Sequence, residues 1–485
     1  MRPGVRFLTD DLVERIVTEG RSTLCTLGVE IHNDAIISLL ADHGAHVDRN
    51  ANRVFFTQEL IDKALAVAPH SFKLYDVLGN DAVDLSGFAV NFTPGSTAIN
   101  ILDGATNSVR KPTTADYVLY AKLMGKLTNI ASQSTAMIPS DVHQNMSDSY
   151  RLFLSLLYCE KPVVTGAFTV EAFEIMKELQ LAVRGSEDGL AAKPLTIFSC
   201  CPTSPFKWND VTSQNLLDCA RNSIPVEIVS TPLCGLTAPV TIVGTLVQHT
   251  VETLSGLVMS QFSNPGTPVL YGGSPTCFDV RYETTPTTAI DTMMLDCAFN
   301  EIGKYFGIPT QAYIGLSDSK LLDAQAGMES SIGATLAALA GINNISGPGM
   351  LDFESCFSPE KLLLDNEICG MVLRLIQGIE QKDDLPARPL FEELLREGQL
   401  LISDHTRKHL RQQDYFHSPL IDKAGRERWE EEGSLTLGAR ARREIDNITR
   451  SYEPTRLSPE TRKELVKIME SEARRQGMPS IPHLE

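Results

Sequence analysis

The stretch "YIGLSDSKLLDAQAGMES" (313–330) decides how the chain is read. A short apolar run ends at Gly315. A dense polar cluster follows, Ser317, Asp318, Ser319 and Lys320, then Asp323, Gln325 and Glu329, and the spacing turns helical. An apolar run that breaks into small and polar residues and hands over to a helix is one strand–loop–helix unit. The event recurs. From about residue 85, short β-branched runs alternate with helical patterns in "FAVNFTPGS" (88–96), "TNIASQSTAMIPS" (128–140), "PVVTGAF" (162–168) and "LTIFSCCPTSP" (195–205). It continues in "IPVEIVSTPLCG" (224–235), "PVLYGGSP" (268–275), "TQAYIGLSDS" (310–319) and "INNISGPGML" (342–351). Strand–helix alternation demands parallel pairing with helical crossovers, and eight such units predict an α/β fold, a closed (β/α)8 TIM-type barrel. The competing arrangement is an open doubly wound sheet. Residues 191–280 hold only eight charged side chains, as strands covered on both faces require.

Working outward, residues 1–84 read as an N-terminal helical cap, 85–375 as the barrel and 376–485 as a C-terminal helical extension packed on it. "TDDLVERIVTEGRSTLCTLGVEI" has apolar positions at helical spacing behind a Thr9/Asp10 cap. Beyond 376 charge returns in "FEELLREG", "DHTRKHLRQQDYF" and "GRERWEEEG". "TAPVTIVGTLVQHTVETLSGLVMSQF" (237–262) carries His249 and Glu252 among scattered small residues, which fits a buried helix better than a membrane span.

Composition excludes several classes. Hydrophobic residues are 42% and charged residues 21% of the 485, ordinary for a globular protein. The net charge of −18 repels phosphate backbones and argues against nucleic acid as partner. The N-terminus has no apolar export segment, and the ten dispersed cysteines include no C-x-x-C, so a cytoplasmic chain of reduced thiols is expected. His405 and His409 stand i, i+4 without a third ligand, so no metal site is read. No phosphate-binding glycine fingerprint and no G-x-S-x-G elbow is present.

In a barrel the C-terminal strand ends converge on one mouth, where active sites form. The Gly, Ser, Thr and Pro residues at those ends are therefore read as a ring of loops around a pocket. Ser317 or Asp318 could instead cap a helix starting near Lys320. Aromatic residues gather at the same ends: Phe206, Trp208, Tyr271, Phe278, Tyr282, Phe353 and Phe357, beside Asp279, Glu283 and Glu354. Ring faces and carboxylates suit a cation, above all a quaternary ammonium, which offers no hydrogen-bond donor.

"GLTAPVTIVGTLVQHTVETLSGLVMSQFSNPGTPVLYGG" (235–273), "FDVRYE" (278–283), "DSKLLDAQAGMES" (318–330), "LAGINNISGPGMLDFESCFSPEKLLLDNEICG" (339–370) and "DHTRKHLR" (404–411) carry a family resemblance. The chain resembles the trimethylamine methyltransferase family, in particular members that lack pyrrolysine and act on quaternary amines. The resemblance implies a (β/α)8 barrel that moves a methyl group from a quaternary amine to the Co(I) corrinoid of a partner protein. No tightly bound cofactor is implied, and a homo-oligomer is expected. Only standard residues occur, which suits a quaternary nitrogen: it has no lone pair and is already a leaving group. Glycine betaine is the leading substrate, giving dimethylglycine, with carnitine, proline betaine and γ-butyrobetaine as rivals. Matching positions imply Asp318, Gln325 and Glu329 as catalytic. They imply Tyr271, Asp279, Arg281, Phe353, Glu354, Ser319 and Lys320 as substrate-binding, and the aromatic clustering adds Trp208 to that set. Arg281 could meet a substrate carboxylate or pair with Asp279. Met328 departs from the aromatic residue the family often has after Q-A-G. A betaine-binding or sensor protein on the same barrel is the alternative from another class; a barrel hydrolase or lyase lacks a metal set or nucleophile motif.

Overall fold

The computed structural model describes residues 2–382, 385–410 and 416–483. Each of the eight predicted runs contains a strand: β1 (Asn91–Thr93), β2 (Gln133–Ser134), β3 (Val163–Thr165), β4 (Thr196–Cys200), β5 (Val226–Ser230), β6 (Val269–Gly273), β7 (Thr310–Tyr313) and β8 (Asn344–Ser346). Each is followed by a helix: α4 (Thr114–Met124), α5 (Ser147–Tyr158), α6 (Ala172–Arg184), α7 (Asp210–Arg221), α8 (Ile242–Ser263), α9 (Ile290–Tyr305), α10 (Ala324–Ala340) and α11 (Pro359–Gln377). Preceding these are α1 (Asp10–Thr26), α2 (Asp34–Asp42) and α3 (Gln58–Val67). A further short helix, Glu187–Ala192, leads into β4.

The strands run in the order β1-β8-β7-β6-β5-β4-β3-β2, all parallel. Phe92 O accepts the Ala131 N–H at 2.9 Å and Thr135 O accepts the Thr97 N–H at 3.0 Å, so β1 and β2 meet and the barrel is nearly closed. Burial on both faces explains why the strands read as apolar, β-branched runs.

The N-terminal 84 residues are not the purely helical cap read from the sequence. Thr9 does cap α1, its Oγ1 accepting the Leu12 N–H at 3.3 Å. Helices α1, α2 and α3 pack against α8 on the flank of the barrel. This second cover is why α8 is buried nearly all round, since it is sandwiched between the strands and the N-terminal helices. Its two ionisable residues are engaged, though His249 Nδ1 has no hydrogen-bond partner among the described residues. Glu252 accepts from Ser204, Phe206 N, Ser230 and Gln248, and the His249 ring stacks on Phe299 at 4.3 Å and bonds Gly272 O. A hairpin, Lys73–Tyr75 with Asp81–Asp84, closes the opposite end: Leu74, Val83 and Leu85 pack onto Val164, Ile197 and Leu270 inside the barrel floor. The N-terminal ends of the strands are thus plugged, and the C-terminal ends remain as the mouth.

The C-terminal extension comprises α12 (Arg388–Glu397), α13 (Asp404–His409), α14 (Arg426–Glu431), α15 (Leu437–Arg450) and α16 (Pro459–Arg475). The last two pack on the barrel helices. Helix α15 lies on α4 and α11, and α16 on α5 and α6, whereas α12, α13 and α14 bury no residue. The rings of His405 and His409 stand 4.7 Å apart on α13, and among the described residues no three His, Cys, Asp or Glu side chains are grouped to hold a metal ion. No described helix is long and apolar enough to cross a membrane. The ten cysteines are all unpaired.

Candidate active site at the barrel mouth

Strand pleating decides which side chains reach the interior, because alternate residues face opposite sides. On β5, Ile228 packs outward on α8 near Gly256, so Glu227 points in. On β7, Thr310 bonds Asn300 of α9 at 2.6 Å, so Gln311 and Tyr313 point in. Asn344 and Ser346 of β8 and Ser199 of β4 complete the lining: Ser199 Oγ donates to Glu227 at 2.6 Å, Asn344 Nδ2 reaches it at 3.4 Å, and Gln311 Nε2 donates to Ser346 Oγ at 3.3 Å. Gly272 makes room here, since a Cβ would stand 2.6 Å from Gln311 Oε1.

Above this layer sits Glu354, in the loop after β8. Asp352, Phe353 and Glu354 have φ of 51°, 53° and 67°, three consecutive non-glycine residues in the left-handed region. Such residues cost about 1–3 kcal/mol each and persist only where surroundings hold them. Ser319 O accepts the Asp352 N–H at 2.9 Å, and Ser355 O accepts the N–H groups of Ile99 and Asn100 at 3.1 Å. The loops after β7, β8 and β1 thus fix one another and turn the Glu354 carboxyl into the mouth.

Burial pushes Glu354 up to about 8; the Ser96 backbone N–H offsets part of this, and Glu227 and Asp318 add to it. The residue as a whole is half-buried. Glu227, fully buried, is raised to about 7 by desolvation against its bonds from Ser199 and Asn344. Burial, Glu227, Glu354 and Cys201 hold the Tyr313 phenol well above its ordinary value. Cys201 is pushed up to about 12 by burial, Cys200 and both carboxyls, so it is a neutral thiol rather than a nucleophile. Among the described residues no lysine or arginine is paired with Glu227 or Glu354.

Of the predicted site residues, the structure brings Glu354 into this cluster. Asp318 stands close by, but both its oxygens are taken: Thr287 N and Oγ1 (3.2 and 2.5 Å) bond Oδ1, and Thr288 N and Oγ1 (3.0 and 2.8 Å) bond Oδ2. It clamps the β6–α9 loop rather than presenting a free carboxylate. Glu329 accepts from Ser317 Oγ at 2.6 Å, Asp318 N at 2.9 Å and Gln325 Nε2 at 2.8 Å, and Gln325 is itself exposed. Ser319 bonds Leu321 O and Asp323. The helix cap predicted at Ser317 or Asp318 is Asp323, which accepts the Ala326 N–H at 3.2 Å, because the two earlier side chains are engaged elsewhere. Lys320 bonds Asp318 O at 2.7 Å and lies 3.8 Å from the Phe353 ring centroid, so it covers a face of the ring expected to meet an ammonium.

Tyr271 and Trp208 do not line the mouth. Tyr271 points outward to α8 and α9, its hydroxyl 3.2 Å from Thr250 and its ring against His249 and Phe306. Lys207–Trp208 pairs with Val29–Ile31, and Trp208 Nε1 donates to Ser255 at 2.9 Å, which ties the loop after β4 to the N-terminal unit. Asp279 and Arg281 form a two-point ion pair with each other at 3.1 and 2.7 Å on the exposed rim, holding Asp279 down to about 2. Met328 is exposed on α10 and does not face the pocket.

Sequence reasoning missed Glu227, Gln311, Tyr313, Ser199 and Cys201. The signal was a lone acidic residue inside the apolar run "IPVEIVS", at a pleat position that must face the axis. Around the mouth, Phe168, Leu236, Val240, Val280, Tyr282 and Leu321 are exposed in the loops after β3, β5, β6 and β7. A groove of ≈ 1250 Å³ lies elsewhere, between α11, α14 and α15, lined by Met371, Trp429, Arg440 and Arg443, and contains none of this cluster.

The comparisons with known proteins identify the family. The family model for trimethylamine methyltransferase (MTTB) matches residues 1–479. Trimethylamine methyltransferase MttB of Desulfitobacterium hafniense (strain DSM 10664 / DCB-2) is 30% identical over 451 residues, 93% of this chain and 90% of the relative. Glycine betaine methyltransferase of Desulfitobacterium hafniense (strain Y51) is 29% identical over 462 residues, 94% and 95%. Among solved structures, the Methanosarcina barkeri monomethylamine methyltransferase (MtmB) shares the fold with a TM-score of 0.51 at 10% identity, covering 97% of this chain and 88% of that one. With the family matched across almost its entire length, the chain belongs to the trimethylamine methyltransferase family.

Proposed function

We propose that this chain moves a methyl group from a quaternary amine to the Co(I) corrinoid of a partner protein. The observation that carries the reading is the pair Glu227 and Glu354, two carboxyls turned into one barrel mouth with no lysine or arginine paired to either among the described residues. Such a pair calls for a cation, and family membership makes that cation a methylated amine. From the sequence alone glycine betaine, releasing dimethylglycine, comes first, and one relative is named for that substrate, but two carboxyls without a paired cation favour a quaternary amine that carries no carboxylate.

The partner's Co(I) supplies the electron pair, so the N–CH3 bond breaks as the Co–CH3 bond forms and a neutral tertiary amine departs. The chain itself needs no tightly bound cofactor in this reading. Glu227 and Glu354 hold the ammonium, Tyr313 and Gln311 wall it in, and the closed floor keeps water out. Positioning and electrostatics are the available sources of catalysis. The exposed apolar rim at Phe168, Val240, Val280 and Tyr282 suits the corrinoid and its carrier, which would cover it. Helix α12, with Phe391, Leu394 and Leu395 exposed, is our candidate face for self-association. The unpaired thiols fit a reducing cytoplasm.

The test is anaerobic absorbance spectroscopy with reduced cobalamin, then a corrinoid protein, and separate additions of glycine betaine, carnitine, proline betaine, γ-butyrobetaine, tetramethylammonium and trimethylamine. Loss of the Co(I) band with growth of methyl-Co(III) in a quaternary amine cuvette establishes the activity. Reaction with trimethylamine alone, or with none, refutes it.

A further inference from the structure

For one N–CH3 bond of a tetrahedral ammonium to face outward to its acceptor, the other three substituents must point into the mouth. The groups that would surround them are Glu227, Glu354, Tyr313, Gln311, Asn344 and Ser199. Two are acidic and none is a cation. The basic groups nearby in the sequence of the loops are already engaged. Arg281 is paired with Asp279 on the rim; Lys320 holds Asp318 O and Asp352 over Phe353. Arg151 is buried against Asp148, Thr97 and Thr135 O. A carboxymethyl arm would place a third carboxyl beside Glu227 and Glu354 with no cation to receive it, and the donors Ser199, Asn344 and Gln311 already bond Glu227 and Ser346.

We propose that the amine taken by this site carries no carboxylate, being a tetraalkylammonium or a choline-type amino alcohol, and that Glu227 and Glu354 determine this specificity by repelling betaines. The inference rests on the methyl-transfer reading above and replaces its betaine candidates with a carboxylate-free quaternary amine. It also gives ligand binding a distinctive pH dependence. The groups facing the two carboxyls are each other, Asp318 from the loop after β7, Tyr313 on β7 and Cys201 after β4. Tyr313 and Cys201 stay protonated, so the titration near neutrality belongs to the glutamates, raised to about 7 and about 8. A cation drives a proton off these carboxyls and binds better as pH rises. A betaine needs that proton to meet its carboxylate and binds worse.

The experiment is calorimetric titration of the full chain with tetramethylammonium, choline and glycine betaine. At about pH 8.5 the two carboxylate-free ions should bind at least roughly tenfold tighter than glycine betaine, and their affinity should have risen roughly tenfold from about pH 6.5, with proton release. E354Q should flatten that pH dependence and narrow the gap to betaine. Glycine betaine binding as tightly as tetramethylammonium at the higher pH, or tightening with pH, overturns the proposal. The Co(I) assay on the same ligands separates the two readings. Methyl transfer from glycine betaine and not from tetramethylammonium or choline overturns the charge inference and leaves methyl transfer standing. Tight, pH-dependent binding of tetramethylammonium with no transfer to any cobalt acceptor supports the charge inference and overturns methyl transfer.

Discussion

Replacing Asp318 by Asn separates a scaffold role from a catalytic one. The native carboxylate receives four donors from Thr287 and Thr288. In the amide, Oδ1 can keep the two bonds from Thr287. The new NH2 can turn to the Thr288 hydroxyl, which is able to accept, but it faces the Thr288 N–H, which is not. One buried amide is left unsatisfied, and the retained bonds lose their charge assistance. The expected cost is about 2–3 kcal/mol. It falls locally, on the loop between β6 and α9, so amide exchange at residues 284–293 should accelerate roughly thirty- to one-hundred-and-fifty-fold. Hydrogen–deuterium exchange by mass spectrometry reads this directly. Methyl transfer to Co(I) cobalamin, measured in parallel, should keep a kcat within about tenfold of the parent, with the loss in KM, as expected when a wall loosens and no reacting group is removed. Unchanged exchange with kcat down about a thousandfold would refute the reasoning and return Asp318 to the chemistry.

Tyr271→Phe removes one buried bond to Thr250 and should cost about 1 kcal/mol in thermal unfolding while leaving methyl transfer unchanged. Val280→Glu combined with Tyr282→Glu should slow transfer to a corrinoid protein at least about tenfold and leave transfer to free cobalamin intact, as expected for rim residues that only meet the partner. The ligand-free protein should lose stability as pH rises from about 4.5 toward about 8, because Glu354 binds its proton more tightly folded than unfolded; Glu354→Gln should flatten that slope in pH-dependent melting. His249, held down to about 3 by burial, acts with the opposite sign: stability falls as pH drops below about 6.5, and His249→Phe should reduce that acid sensitivity.

All eight barrel strands were legible because burial on both faces leaves an unmistakable pattern, a β-branched apolar run closed by Gly, Ser or Pro. The site was less legible for the same reason. A barrel interior is read by pleat register, and β7 and β8 are so short that one residue of offset exchanges inside for outside. Tyr271 on β6 and Tyr313 on β7 look alike in sequence, each near the end of an apolar run, yet one packs under helices and the other faces the carboxyls. Trp208 was drawn away by a strand pairing with residues 29–31 that no local pattern announces. Glu227 was passed over because one acidic residue in an apolar run carries no motif.

The polar cluster at 317–329 has its explanation in that contrast. Its residues bond mostly to one another and to neighbouring loops. Glu329 fixes Ser317, Ser317 Oγ accepts the Ser319 N–H at 3.0 Å, and Ser319 O accepts the Asp352 N–H. Two residues beyond Asp352 lies Glu354, at the end of the left-handed turn. The cluster is therefore the brace for a strained loop, and the strain is what aims the carboxyl. A dense polar motif at a strand end marks where a site is built, since loops must satisfy many donors to hold one conformation. The chemistry rests on the few groups left without partners of opposite charge. At the mouth those are Glu227 and Glu354, which we propose as the cation-binding pair and whose proton affinity burial raises.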